Sequence, residues 1–182
     1  VIPEDLYALL RRRLDATAED VALLLGQAAV LGSSFALDDA AALAGVGPEE
    51  CARRAERAVR AGLLVSDGER YRFANDIVRT VAYSRAELPV RISRHRRAAE
   101  LLADRPEAAA GHHSAAGDHA AAAQAWLAAA DAAHLVFAHR DAERLLTSAL
   151  GSAERTGDPV LRTTVLLRRG QVPGPYVLAG HS

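Results

Sequence analysis

The periodicity of the chain changes abruptly at Gly62. Before it, apolar residues recur at helical spacing. After it, Leu63 to Val65 and Tyr71 to Phe73 flank Asp67-Gly68, a turn pair that permits the backbone to reverse between two extended runs. Three helices followed by a short two-stranded hairpin is the order of a winged helix.

The segments before the hairpin follow from local signals. Pro3, Glu4 and Asp5 open a helix through about Leu14, with Leu6, Leu9, Leu10 and Leu14 as its apolar stripe. Thr17 to Asp20 is a capping region for a helix from Val21 to Leu31, apolar nearly all round and so expected to be buried, with Gly32 as its stop. Phe35 and Leu37 form a short extended piece. Asp38 or Asp39 caps a helix ending near Gly45, and Pro48 starts another that runs to Ala61. A helix over 74–86 follows the hairpin.

Beyond Pro89 the pattern is helical throughout, over about 90–104, 106–116, 119–137, 139–156 and 158–169. Ala122, Trp126 and Ala129 are echoed by Ala142, Leu146 and Ala149. Small residues at these spacings let antiparallel helices approach closely, as in tetratricopeptide-like repeats, although chance similarity between Ala-rich helices gives the same pattern. The expected fold is mainly α: a winged helix with a small β-hairpin, followed by an antiparallel helical-repeat array. Residues 1–15 form a linker helix, 16–88 the winged helix, 89–171 the helical-repeat region and 172–182 an irregular tail. That tail, rich in Gly and Pro, reads equally as a frameshift, a scar, a truncation or a functional end.

Composition excludes several classes of function. The formal net charge of -1 exerts no global pull on nucleic acid or membrane. One cysteine, Cys51, rules out an internal disulfide framework and reads as a small core residue. All 22 Lys+Arg residues are arginine, so the lysine of a phosphate loop is missing. No serine-elbow or paired-carboxylate motif appears, so no catalysis is expected of this chain. His112, His113, His119, His134 and His139 match no strong zinc spacing, and no metal is expected. No apolar run reaches membrane-spanning length, and a cytoplasmic location is the default. Absence of methionine and a start at Val1 suggest a piece of a longer chain; the arginine and alanine bias suggests a GC-rich bacterial genome.

Two arginine clusters lie along the chain. Arg53, Arg57 and Arg60 share a face of the third helix of the winged helix, with Arg54 beside them, while Ala52, Ala55, Val59 and Leu63 lie opposite. That is where a DNA-recognition helix sits, and free-standing DNA binding is one alternative reading. Glu49, Glu50 and Glu56 dilute the field, and the acidic wing residues Asp67 and Glu69 argue against phosphate contacts. Arg91, Arg94, His95, Arg96 and Arg97 form the second cluster, read as a solvated surface or a domain-interface set of salt bridges.

The order of segments carries a resemblance. Residues 2–15, then Ala28-Ala29-Val30-Leu31-Gly32 with Phe35, Gly62-Leu63-Leu64, Tyr71-Arg72-Phe73, Asp76-Ile77-Val78-Arg79, Ala82-Tyr83 and Arg94-His95-Arg96-Arg97 resemble, in that order, the middle of large ATP-binding regulators of the LuxR type. These are signal-transduction ATPases with numerous domains. The resemblance covers about residues 2–170. It implies a regulatory fragment of a signal-responsive transcriptional regulator: a winged-helix lid on an ATPase module outside this chain, and helical repeats that take a protein or small-molecule inducer. ATP or ADP would be bound by the whole protein, and DNA by a C-terminal helix-turn-helix also outside this chain. A helical-repeat scaffold from a related multidomain kinase or cyclase is the remaining alternative.

The same resemblance singles out Asn75. In the wider class a Met-His-Asp-like motif brings a histidine to the nucleotide phosphates, and Ala74, Asn75 and Asp76 occupy the matching positions here. An amide still donates a hydrogen bond to phosphate but carries no positive charge. Asn75 also stands where a helix cap belongs, so cap alone and cap plus nucleotide contact are both open.

Overall fold

The computed structural model describes residues 4–171, with side chains from Tyr7 onward. The chain divides into two compact units, one ending at Leu101 and the other beginning at Leu102. Ten helices and a small antiparallel sheet make up the described residues.

In the first unit, α1 (Glu4–Asp15), α2 (Glu19–Leu31), α3 (Leu37–Ala44) and α4 (Pro48–Arg60) precede the hairpin of β2 (Leu64–Ser66) and β3 (Tyr71–Phe73). Helices α5 (Asp76–Ser84) and α6 (Leu88–Leu101) follow. The hairpin register pairs Leu64 with Phe73 and Ser66 with Tyr71. Its loop spans residues 67–70 rather than closing tightly on Asp67-Gly68. The Asp67 carboxylate accepts the Arg70 N–H at 2.7 Å and the Glu69 N–H at 3.2 Å, and Gly68 takes φ +97°, where a Cβ would be strained. Those backbone donors hold the Asp67 carboxyl below its ordinary pKa.

Of the expected extended piece at Phe35 and Leu37, Phe35 lies in a third strand, whereas Leu37 is the first residue of α3. β1 (Ser34–Phe35) pairs antiparallel with β3, giving the sheet order β1-β3-β2. Arg70 reinforces the join by donating to the Ser34 hydroxyl at 3.1 Å and to its carbonyl at 3.3 Å. Phe35 stacks near Tyr71 and tilts against Phe73, so the sheet presents aromatic rings to the helices.

One continuous core unites these elements. Leu14 from α1, Val21, Leu24, Leu25, Ala28 and Ala29 from α2, Phe35, Cys51, Ala55, Leu63, Phe73, Val78 and Val81 are all buried in it. Leu10 and Leu14 bring α1 into this core. α2 is buried on most of its circumference as its composition requires, although Leu23 stays exposed. On α4 the buried stripe is Cys51, Ala55 and Ala58, at spacings of four and three, while Ala52 and Val59 sit at its edge.

Neither Asp38 nor Asp39 caps α3, and the cap position of α2 falls on Ala18, inside the expected Thr17 to Asp20 region. α3 starts one residue before Asp38, with Ala36 in the cap position and no side-chain cap bond. α2 likewise has Ala18 in the cap position, and Thr17 instead donates back to the Arg13 carbonyl at 2.9 Å. Asp38 and Asp39 lie in the first turn of α3, as Glu19 and Asp20 do in α2, where negative charge complements the helix dipole; the Asp20 carboxylate also accepts the Val21 N–H at 2.9 Å.

The second unit contains α7 (Pro106–Ala116), α8 (His119–Leu135), α9 (His139–Thr156) and α10 (Pro159–Gln171). Gly117 and Gly157 terminate α7 and α9 in the left-handed conformation. Ala122, Ala129, Ala142, Leu146 and Ala149, five of the six echoed positions, are buried, and Trp126 packs beside them. The unit boundary falls after α6, thirteen residues later than the periodicity break at Pro89, because α6 packs on α2 and α3. The expected irregular tail at 172–182 lies outside the described residues. Among the described residues no helix is long and apolar enough to cross a membrane.

Candidate functional site

The junction from β3 to α5 is built by three residues. Phe73 ends the strand buried in the core, Ala74 turns, and Asn75 adopts extended backbone at φ -160°, ψ 167°. From there the Asn75 Oδ1 accepts the Val78 N–H at 2.9 Å, so Asn75 is a side-chain N-cap of α5. Asn75 and Asp76 are both exposed. The cap uses the oxygen of the Asn75 amide, and the amide nitrogen is the donor left for any further partner. Replacing Asn75 by alanine is expected to remove about 1 kcal/mol of stability through loss of the cap, read as a lower midpoint in thermal unfolding.

The arginines of α4 are arranged differently from an open basic face. Arg53 is bound to Glu50 by Nη2 at 2.5 Å and by Nε at 3.1 Å. Arg54, the following residue, donates to the other Glu50 oxygen at 2.7 Å and lies 3.7 Å from Asp20. Arg57 donates to Asp20 of α2 at 2.7 Å. One carboxylate of α4 and one of α2 thus hold three guanidinium groups in a continuous network. Hydrogen bonds from Arg54 and Arg53 hold the Glu50 carboxyl below its ordinary pKa. Arg60 is exposed and makes no ion pair among the described residues. The four arginines read as a DNA-recognition set therefore present one uncommitted charge.

The second basic cluster is not a simple solvated face. Arg94 donates to the Gly26 carbonyl of α2 at 2.9 Å, and Arg97 to the Ala42 carbonyl of α3 at 3.0 Å. These arginines therefore fasten α6 to two helices through backbone acceptors. Close contact is possible at Gly26 because a Cβ there would come within 3.0 Å of the Arg94 guanidinium. His95, between them, is buried and hydrogen-bonded through Nε2 to the Tyr83 hydroxyl at 2.9 Å. Burial first, then the charges of Arg91 and Arg79, pull its pKa below the ordinary imidazole value.

A cleft of about 420 Å³ in the first unit is lined by Asp15, Glu19, Gly26, Arg85 and Arg94. Asp15 and Arg85 neutralise one another across it at 2.6 Å. In the second unit a groove of about 870 Å³ runs along Pro106, Ala129, Ala133, Val136 and Leu145. Beside it the turn between α8 and α9 exposes Leu135, Val136 and Phe137, the last 81% exposed and at φ 58°. No His, Cys, Asp or Glu cluster of metal-binding size occurs among the described residues. Cys51 is fully buried, and burial raises its thiol pKa.

No family model, curated protein or solved structure matches this chain.

Proposed function

We propose that this chain is the regulatory middle portion of a signal-responsive, ATP-dependent transcription regulator of the LuxR type. In this reading the first unit is a winged helix that closes on an ATPase module carried elsewhere in a longer protein. The second unit is the start of a tetratricopeptide-like array that takes an inducer. The chain catalyses nothing itself. Its switch is a change of docking driven by nucleotide exchange, with two states of unequal affinity for the nucleotide-bound module.

The observation that carries the reading is the β3–α5 junction. Asn75 stands exposed at a helix N-terminus, with its amide oxygen spent on the cap and its amide nitrogen available. A helix N-terminus with an outward donor is suited to a phosphate oxygen. The order of three helices, hairpin and following helix supports the winged-helix assignment, and β1 supplies the third strand. Alanine-lined packing of α8 on α9 supports the repeat assignment. The exposed Leu135-Val136-Phe137 turn and its neighbouring groove support an interaction surface in the second unit.

Free-standing DNA binding competes with this proposal, and a titration separates them. Phosphate contacts make specific DNA affinity fall steeply with salt. With Arg53, Arg54 and Arg57 held by Glu50 and Asp20, the chain is expected to bind duplex DNA weakly across a salt series, with no change on Arg53→Gln or Arg57→Gln. Tight, salt-sensitive binding that those substitutions abolish would replace the lid reading with the DNA reading.

A further inference from the structure

We propose that the cleft of the first unit binds a short aliphatic zwitterion, with its carboxylate on Arg94 and its cationic nitrogen on Glu19. The site lies apart from the Asn75 junction, and its test does not depend on the regulatory reading.

One stripe of α2 forms a wall of this cleft of about 420 Å³, a volume within the range of small-molecule sites. Glu19, Ala22, Leu23 and Gly26 line it, at the i, i+3, i+4 and i+7 positions that share a helix face. Leu23 is 47% exposed on a helix otherwise buried over most of its circumference. Ala82 of α5 adds further apolar lining. Arg94 of α6 is seated at the Gly26 end of the stripe, where its Nη1 donates to the Gly26 carbonyl at 2.9 Å. Glu19 marks the other end. Seven residues separate it from Gly26, or about 10 Å along the axis at 1.5 Å per residue.

Four charged side chains line the cleft, and two of them cancel. Asp15 and Arg85 are joined at 2.6 Å. Glu19 and Arg94 make no ion pair among the described residues. Arg94 is half-buried, and its hydrogen-bond acceptor is a neutral backbone carbonyl that takes one of five guanidinium donors. Burial lowers its pKa, with no neighbouring carboxylate to offset the cost of desolvation. A carboxylate is the partner this group lacks, because it accepts two parallel N–H bonds and neutralises the charge. Glu19 is exposed and accepts only, so it calls for a cation. Ala22 and Leu23 between them suit methylene groups, and covering Leu23 removes apolar surface from water. An inorganic anion would use Arg94 alone and leave Leu23 bare. A linear molecule with opposite charges at its two ends uses the whole stripe.

The probe is 6-aminohexanoate, titrated into the 182-residue chain at neutral pH and constant ionic strength. The backbone amide resonances of Ala22, Leu23, Gly26 and Ala82 should shift saturably. Hexanoate, which lacks the cation, should bind about fivefold more weakly, and hexylammonium, which lacks the carboxylate, about tenfold. Glu19→Gln should weaken 6-aminohexanoate about fivefold without weakening hexanoate, and Arg94→Gln should weaken both about tenfold or more. Arg155→Gln, on exposed α9 surface, should change neither. Circular dichroism confirms that each variant is folded. Arg94 also fastens α6 to α2, so Glu19→Gln decides the matter if Arg94→Gln does not fold. Shifts that grow linearly without saturation would overturn the site. So would hexanoate binding the wild type as tightly as 6-aminohexanoate, or folded Glu19→Gln binding 6-aminohexanoate as the wild type does.

Discussion

Replacing Phe35 by alanine is expected to lower the stability of the first unit by about 3–5 kcal/mol. Phe35 is 1% exposed and belongs to a strand of only two residues. Two backbone pairings hold β1 to β3, so its place in the sheet rests chiefly on the ring. That ring lies 6.1 Å from Tyr71 and 5.9 Å from Phe73, centroid to centroid, at the point where the sheet meets the helical core. Truncation removes the transfer energy of an aromatic side chain and leaves a cavity that rigid neighbours on α2 and β3 fill poorly. Urea unfolding followed by far-ultraviolet circular dichroism measures the effect. Leu23→Ala, at an exposed position on α2, serves as the comparison and should change stability far less. A Phe35→Ala loss below about 1 kcal/mol would mean that β1 is not part of the folded core.

Leu146→Ala should cost the second unit about 2–5 kcal/mol. Leu146 is 2% exposed and packs with Ala129, Ala130, Leu145, Trp126 and Leu127. Much of this unit's core is alanine, which lets α8 and α9 approach closely but contributes little apolar area per residue. Few large side chains therefore carry the burial, and the loss of one is felt strongly. Trp126 is the single tryptophan of the chain, so its fluorescence reports this unit specifically. The Trp126 transition should move to markedly lower urea in the variant. An unmoved transition would contradict the packing of α8 on α9 described here.

Local signals made most element boundaries legible. Pro48, Pro106 and Pro159 open α4, α7 and α10, and Gly45, Gly117 and Gly157 close α3, α7 and α9. Asp67-Gly68 located the hairpin because a left-handed residue is required there. Nonlocal partners were not legible. β1 is too short to show a period, and its pairing with Tyr71 and Arg72 joins residues nearly forty positions apart. The Arg57–Asp20 pair spans 37 positions, so α4 read from its own residues shows a basic stripe that its fold neutralises. Arg94 and Arg97 likewise meet backbone carbonyls of α2 and α3, and a backbone acceptor leaves no trace in residue type. At Asn75 the cap was visible from residue type and position, because capping is local. The Tyr83–Arg91–His95 cluster combines helical spacing on α6 with contacts to α5 that no spacing rule supplies.

Capping and phosphate contact at Asn75 can be separated by one substitution. Aspartate caps a helix as well as asparagine does, so Asn75→Asp should retain the bond to the Val78 N–H and leave stability within a few tenths of a kcal/mol. It removes the amide donor and sets a negative charge against any phosphate. The decisive measurement is the ADP affinity of the longer regulator that the proposal calls for, compared between wild type and Asn75→Asp. The lid account predicts a loss of about tenfold or more with folding intact. Equal ADP affinity in the two proteins would contradict it and leave Asn75 as a helix cap alone.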